Sequence, residues 1–305
     1  MGAKTKIPWS DASWNPVTGC TKVSAGCKHC YAERYAGRHL GDFGEDVDFF
    51  SGTPLSKLSD THRERMMLGD EIRKRRFSEV RCHPDRLDIP LHWRKPRKVF
   101  VCSMGDLFHE AVSEAFIHEV LDTVLCCDQH TFQVLTKRAD RCRTVLTKYW
   151  DAMREKRRQA ETWCDYRGIR FTDLIEIPFP NLWVGISCED QATADARIPL
   201  LLQTPAALRF VSYEPALGPV NFECFPSTGC PTGWMEDEKG IDWIICGAES
   251  GPRARTMDIE WARLVRDQCV TNDLPFFYKQ GPSDPGGTFK LPVLDGRESW
   301  REFPH

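Results

Sequence analysis

The sequence predicts an α/β fold, a full or partial (β/α) barrel with parallel strands, and three observations carry that expectation. Short apolar runs rich in β-branched and aromatic residues recur along the chain. Segments of helical period lie between them, and no Gly-rich nucleotide fingerprint follows the first run. Runs of this kind suit strands buried on both faces, as in a parallel sheet covered by helices.

In chain order the runs are Val99 to Cys102, Thr131 to Leu135, Leu182 to Ile186, Leu208 to Val211, Trp243 to Cys246 and Phe276 to Tyr278. Phe116, Val120, Leu121, Val124 and Leu125 form one helical face after Ser113, and Ile259, Ala262, Val265 and Cys269 form another after Asp258 as N-cap. The residues that follow the C-terminal end of each barrel strand face the active site. Here they are Ser103 to Asp106, Thr136-Lys137-Arg138, Ser187 to Asp190, Ser212 to Pro215, Gly247 to Gly251 and Lys279-Gln280. Helix capping accounts for many of the Ser, Asp and Glu residues among them, but not for Lys137, Arg138 or Lys279. The chain reads as a single domain over residues 1–305. A basic, mostly helical insertion at about 51–96 and an irregular loop at about 222–240, rich in Pro and Gly, lie at its periphery.

With 305 residues, 41 basic against 44 acidic side chains and 41% apolar residues, the composition excludes a disordered chain. The longest apolar stretches, such as Trp243 to Cys246, fall far short of the roughly 20 residues that cross a bilayer. No secretory signal precedes the first strand, so the expectation is a cytoplasmic chain with reduced thiols and no membrane partner. Fourteen cysteines are the compositional anomaly. In a reducing compartment a subset close in sequence reads as a metal or cluster site.

That subset is Cys20, Cys27 and Cys30, a C-x6-C-x2-C arrangement with Gly19 and Gly26 loosening the longer arm. Three thiolates suit three corners of a 4Fe-4S cube and leave one iron open to bind a substrate or cosubstrate. Zinc is the competing metal, with a closed tetrahedron of four ligands. His29 is badly placed as the fourth, adjacent to Cys30, whereas Cys82 with His83 beside it remains open. Cys126, Cys127, Cys142 and Cys269 read as small core residues in helical segments. Cys102, Cys188 and Cys246 stand at strand ends, and Cys224 with Cys230 are candidates to clip the irregular loop.

The stretch Trp14-Asn15-Pro16-Val17-Thr18-Gly19-Cys20 through Cys30-Tyr31-Ala32-Glu33 resembles the cluster loop of the radical S-adenosylmethionine (SAM) superfamily. More narrowly, it resembles a phage and bacterial branch with this longer three-cysteine motif. Ser103 to Glu110, Leu135 to Arg138, Gly247 to Gly251 and Phe276 to Gln280 resemble blocks of that branch, which is itself similar to spore photoproduct lyase. The resemblance implies a radical-SAM type of barrel, a 4Fe-4S cluster on Cys20, Cys27 and Cys30, and S-adenosyl-L-methionine as cosubstrate. It implies reductive cleavage of SAM to a 5′-deoxyadenosyl radical that abstracts hydrogen from a substrate, with a reductant such as flavodoxin or ferredoxin as electron donor. By that resemblance Ser103, Lys137 and Ser187 would contact SAM; the chemistry of SAM makes Asp106 or Glu189 acceptors for its amine or ribose, and Tyr31 and the Trp243 to Gly247 strand end candidates to border the adenine. The spacing of the first two cysteines, six residues in place of the usual three, departs from the superfamily pattern.

Glu214, Glu249 and Lys279 are the candidate catalytic residues, as substrate contacts or acid/base groups. A buried Glu249–Lys279 ion pair is the bland alternative. By resemblance the substrate is a nucleic-acid base, repaired or modified, and the basic run from Arg63 to Lys98 would follow a phosphate backbone. That run also holds acidic residues, so a solvated ion-paired face competes with it. Two other readings stay open: a non-catalytic iron-sulfur or zinc protein that binds nucleic acid or a partner enzyme, and a SAM-cleaving enzyme of small-molecule substrates.

Overall fold

The computed structural model describes residues 5, 7–36, 46–48, 72–160, 178–225, 240–251, 253–282, 293–297 and 300–304. Seven parallel strands form the sheet: β1 (Ala12–Trp14), β6 (Lys98–Val101), β7 (Thr131–Thr136), β8 (Leu182–Cys188), β9 (Leu208–Tyr213), β10 (Trp243–Gly247) and β11 (Phe276–Gln280). They lie side by side in the order β1-β6-β7-β8-β9-β10-β11, curled into a half-barrel. Neighbours in sequence are thus neighbours in space, with no reversal of strand order of the kind that marks a dinucleotide-binding sheet. Two small antiparallel pairs stand apart, β2 (Val17–Thr18) with β5 (Arg81–Cys82) and β3 (Asp46–Asp48) with β4 (Ile72–Lys74).

Between the strands run α2 (Glu114–Leu125), α3 (Ala139–Ala160), α4 (Gln191–Leu202) and α5 (Ile259–Thr271); a shorter α1 (Tyr31–Ala36) follows the cysteine segment. Local chemistry sets their starts. Ser113 Oγ accepts from Phe116 N at 3.2 Å, Asp258 Oδ1 from Glu260 N at 3.0 Å, and Asp190 forms a reciprocal capping box with Thr193.

Side-chain alternation then divides the sheet into two faces. Val99, Val101, Phe132, Val134, Leu182, Val184, Ile186, Ile244 and Cys246 belong to one buried layer with the apolar faces of α2 and α5. The alternate residues Phe100, Phe210, Trp243, Ile245 and Phe277 pack with Trp9, Trp183 and Phe303 on the concave face. Trp9 meets Phe100, Phe210 and Trp243 at centroid separations of 4.7, 6.2 and 6.3 Å, so an aromatic plug closes the lower part of the half-barrel. Phe210 lies over Gly185 of the neighbouring strand, where a Cβ would run into the edge of the ring. Gln133, fully buried with its Oε1 accepting from Ser10 Oγ at 2.9 Å, shares this layer between Phe100 and Trp183, and the charged residues of the concave face gather towards the C-terminal strand ends.

All six strands expected from the sequence form, and β1 is added to them. The insertion is different: across residues 72–96 the chain makes β4, β5 and two 3₁₀ turns, Pro84–Arg86 and Ile89–His92, instead of a helix. Pro84, Pro90 and Pro96 remove the backbone donors a continuous helix needs. Residues 51–71 lie outside the described residues, as do 226–239 of the irregular loop, Cys230 included. Among the described residues no helix is long and apolar enough to cross a membrane.

Candidate active site at the strand ends

The cysteine segment lies across the C-terminal ends of the strands and is fastened to four of them. β2 carries the chain to Gly19, whose φ of +91° suits glycine, and Gly19 N donates to Met104 O at 2.9 Å beyond β6. Cys20 follows beside the end of β7, where Arg138 Nη1 lies 3.5 Å from its sulfur and Arg138 Nη2 donates to Thr21 Oγ1 at 3.0 Å. Over β8, Ser24 Oγ donates to Glu189 Oε1 at 2.8 Å, and a Cβ on Gly26 would stand 2.6 Å from Glu189 Cγ. His29 Nδ1 meets Glu249 Oε2 at 2.9 Å past β10. Tyr31 at the start of α1 donates its hydroxyl to Ser103 O at 2.6 Å, and Arg34 Nη2 donates to Ser250 O at 2.5 Å.

The strand-end residues are themselves organised by charge. Glu189 is fully buried, with Lys137 Nζ 3.2 Å and Arg197 Nη1 3.1 Å from its carboxylate. Asp106, 5% exposed, accepts from Thr136 Oγ1 at 2.8 Å, Phe108 N at 3.0 Å and Arg138 Nη1 at 3.1 Å. Glu249 takes Arg255 through its backbone N at 2.8 Å, Nε at 3.1 Å and Nη2 at 2.5 Å. Burial alone would raise the Glu249 carboxyl, but the bonds from Arg255 and His29 outweigh it and hold the group at about 2. Burial pushes the Cys20 thiol up to about 11, with the Asp106 charge adding to the rise and Arg138 opposing it.

The Glu249–Lys279 pair, the bland alternative to a functional role, does not form: Glu249 pairs with Arg255. Lys279 binds Glu214 instead. The register of β10 and β11 shifts between Cys246 and Gly247, and Gly247 offers no side chain to separate Lys279 on one neighbour from Glu214 on the other. His29, set aside as a zinc ligand on spacing, is engaged by Glu249, and His83 Nε2 lies 2.7 Å from Thr18 Oγ1. Ser187 is 4% exposed on the concave face, and its carbonyl accepts from Arg197 Nη1 at 2.6 Å. Cys126 is exposed at the end of α2, whereas Cys127, Cys142 and Cys269 are core residues as expected.

Sequence reasoning missed several members. Asn15 Oδ1 accepts from Ser103 Oγ at 3.2 Å and Met104 N at 2.9 Å, fixing the turn that Cys102 opens at φ +60°. Arg138, Arg197 and Arg255 complete the charge pairs, and Ser24 adds a neutral hydrogen bond to Glu189. Only Arg138 gave a sequence signal, as a cation at a strand end that no cap requires. Of the described basic residues before β6, Arg75 is buried on Thr18 Oγ1, Arg97 lies over Trp93 and Lys98 over Phe303. These serve the fold; Arg76, Arg94 and Lys95 are exposed, and Arg81 and Arg86 are half-buried.

Cys20, Cys27 and Cys30 are free and partly exposed, and among the described residues no three His, Cys, Asp or Glu side chains stand together as a ready-made ligand group. The donor chemistry fits an iron-sulfur cube, since three thiols share one segment that Thr21, Ser24, His29, Tyr31 and Arg34 also anchor. The Cys20 and Cys27 sulfurs make only long contacts, the Cys27 sulfur lying 3.8 Å from Ser24 Oγ.

A solved structure of spore photoproduct lyase, a cysteine-to-serine mutant, is similar with a TM-score of 0.37 and 11% identity, over 70% of this chain and 48% of that one. The chain thus spans about half the length of that protein. No curated protein matches. Residues 4–298 match the family described as "Protein of unknown function (DUF5131)", and the chain belongs to that family.

Proposed function

We propose that the protein is a radical SAM enzyme whose Cys20, Cys27 and Cys30 hold a 4Fe-4S cluster at the mouth of the half-barrel. The single observation that supports it most is the course of the cysteine segment, bonded at Arg138, Glu189, Glu249 and Ser103 across the ends of β7, β8, β10 and β6. A segment serving only to staple the fold would have no need of the polar strand ends. When bound, the cluster supplies a one-electron reductant for the SAM sulfonium, and so a radical able to abstract hydrogen.

The chain's own residues bind, orient and exclude. Glu189, held by Lys137 and Arg197, is the platform on which Ser24 and Gly26 rest, so the thiols are positioned by a buried charge. Lys137 also offers its ammonium to the SAM carboxylate. Ser103 and Ser187 border the same space, and Tyr31 closes the side of β6. The Glu214–Lys279 pair stands on the concave face at the opposite side, where it orients the substrate. The aromatic plug of Trp9, Phe210 and Trp243 keeps water from entering below. We take the substrate to be a nucleic-acid base on the resemblance of the sequence blocks alone, with a flavodoxin or ferredoxin as reductant.

The deciding experiment is anaerobic reconstitution with iron and sulfide, dithionite reduction, and EPR with and without SAM. A reduced 4Fe-4S signal that SAM perturbs, and that Cys20→Ala, Cys27→Ala and Cys30→Ala each abolish, is the expected result. One zinc per chain with no cluster signal overturns the reading. Salt-dependent binding of single-stranded or duplex DNA then separates a nucleic-acid substrate from a small molecule.

A further inference from the structure

We infer that Arg138 is a positioning residue for the Cys20 corner of the metal centre, and that by donating to the Cys20 sulfur it raises the reduction potential of the cluster bound there. The inference rests on the cluster reading above. It deepens that reading by assigning one corner of the site a tuning group.

The guanidinium is fixed from every side. Its side chain is 5% exposed; Nε donates to the two Glu110 oxygens at 2.9 and 3.0 Å, Nη2 to Thr21 O at 3.3 Å and Oγ1 at 3.0 Å, and Nη1 to Asp106 Oδ2 at 3.1 Å. The remaining direction of Nη1 is the Cys20 sulfur at 3.5 Å. Arg138 N is bonded in turn to Thr136 Oγ1 at 2.9 Å, so backbone and side chain are held by one buried network. A planar fork with each arm committed cannot swing away, which a lysine ammonium at this place would do. Lys137, its neighbour, faces the other way onto Glu189.

Reduction adds negative charge to a cluster and its sulfurs, and hydrogen bonds to those sulfurs favour the reduced form. Asp106 and Glu110 offset the guanidinium's net charge, so its influence is local and directed at Cys20. Its removal also leaves the Asp106 carboxylate bare beside the sulfur. Both changes disfavour the reduced state.

The test reconstitutes wild type, Arg138→Met, Arg138→Lys and Glu110→Gln anaerobically, counts iron and sulfide per chain, and follows reduction by EPR at set potentials. At a fixed potential the reduced-to-oxidised ratio is expected to fall roughly tenfold in Arg138→Met, which is about 59 mV for a one-electron couple. Arg138→Lys should fall between, and Glu110→Gln should stay level or rise. Arg138→Met with normal iron content and an unmoved midpoint overturns the inference. Cluster loss from both Arg138 variants also overturns it, since the residue is then scaffold alone. A wild type that takes up no cluster is a separate failure, that of the functional reading itself.

Discussion

His29 Nδ1 and Glu249 Oε2 stand 2.9 Å apart, and this bond fastens the turn between Cys27 and Cys30 to the chain that leaves β10. Glu249 is held ionised at about 2 by Arg255 and His29 against the cost of its burial, so it accepts and His29 carries the proton on Nδ1. Removing the carboxylate leaves Arg255, half-buried, without its partner and frees the cysteine turn. Glu249→Ala is expected to lose roughly 1–3 kcal/mol in urea unfolding, the scale of hydrogen-bonded partners stranded at a half-buried site. His29→Ala should cost less than half of that and still lower iron uptake on reconstitution, because it frees the turn while Arg255 keeps its partner.

Acid should weaken the fold in two stages. Burial lowers the ordinary affinity of His109 and His130 for protons, with nearby Arg138 and Arg97 adding to the effect. A histidine depressed in the folded state contributes stability that is full above its ordinary range near 6.5 and is lost as pH falls below it. Glu249, also depressed, contributes stability that is full above the ordinary carboxyl range near 4.5 and is lost as pH falls towards 2. The urea midpoint should therefore drop once between pH 7 and 5 and again below about pH 4.5. His130→Gln should shrink the first drop and Glu249→Gln the second; a midpoint flat from pH 7 to 3 would contradict both assignments.

Two glycines separate fold from site. At Gly185 an added methyl meets the Phe210 ring in the aromatic plug, whereas at Gly26 it meets Glu189, immobilised by Lys137 and Arg197. Gly185→Ala should cost about 1–3 kcal/mol by overpacking, with thiols and iron uptake unaffected. Gly26→Ala should leave thermal stability nearly intact and reduce iron bound per chain. Equal loss of stability in both would mean that the cysteine segment is part of the core.

How much of this was legible in the sequence depends on the range of the interaction. The strands at Val99, Thr131, Leu182, Leu208, Trp243 and Phe276 announce themselves through local apolar runs, and Ser113 and Asp258 through capping chemistry. β1 is only Ala12–Trp14, too short to show a pattern, and is recruited by pairing with β6. The strand-end rule brought Glu189, Asp106 and Glu249 to one mouth, because strand polarity is shared across a parallel sheet. Which charge meets which was not legible: Lys279 turns to Glu214 through a register shift, and Glu249 finds Arg255 and His29 at the far side of a loop. Those choices are made by side-chain reach in three dimensions, on which sequence spacing is silent.

The Glu214–Lys279 pair should behave as a unit. Each side chain is 19% exposed, so either single truncation strands a partly desolvated charge. Glu214→Gln and Lys279→Met should each destabilise by about 1–2 kcal/mol, and the double variant by less than their sum. If the pair contacts substrate as proposed, the double variant recovers stability without recovering turnover.

Thiol labelling links the exposures to the proposed site. Cys126 is exposed, Cys20, Cys27 and Cys30 are partly so, and Cys102, Cys127, Cys142, Cys188, Cys246 and Cys269 are buried. Among the thiols whose exposure is described, an alkylating reagent followed by mass spectrometry should modify Cys126 first in the native protein. The buried six should remain unmodified until urea unfolds the chain, since burial both blocks access and raises the thiols. Among the three motif cysteines Cys20 should lag, its thiol pushed up to about 11 by burial. Anaerobic loading with iron and sulfide should then protect Cys20, Cys27 and Cys30 together and leave Cys126 as reactive as before. Protection of only one or two of the three would place the metal on a different set of ligands.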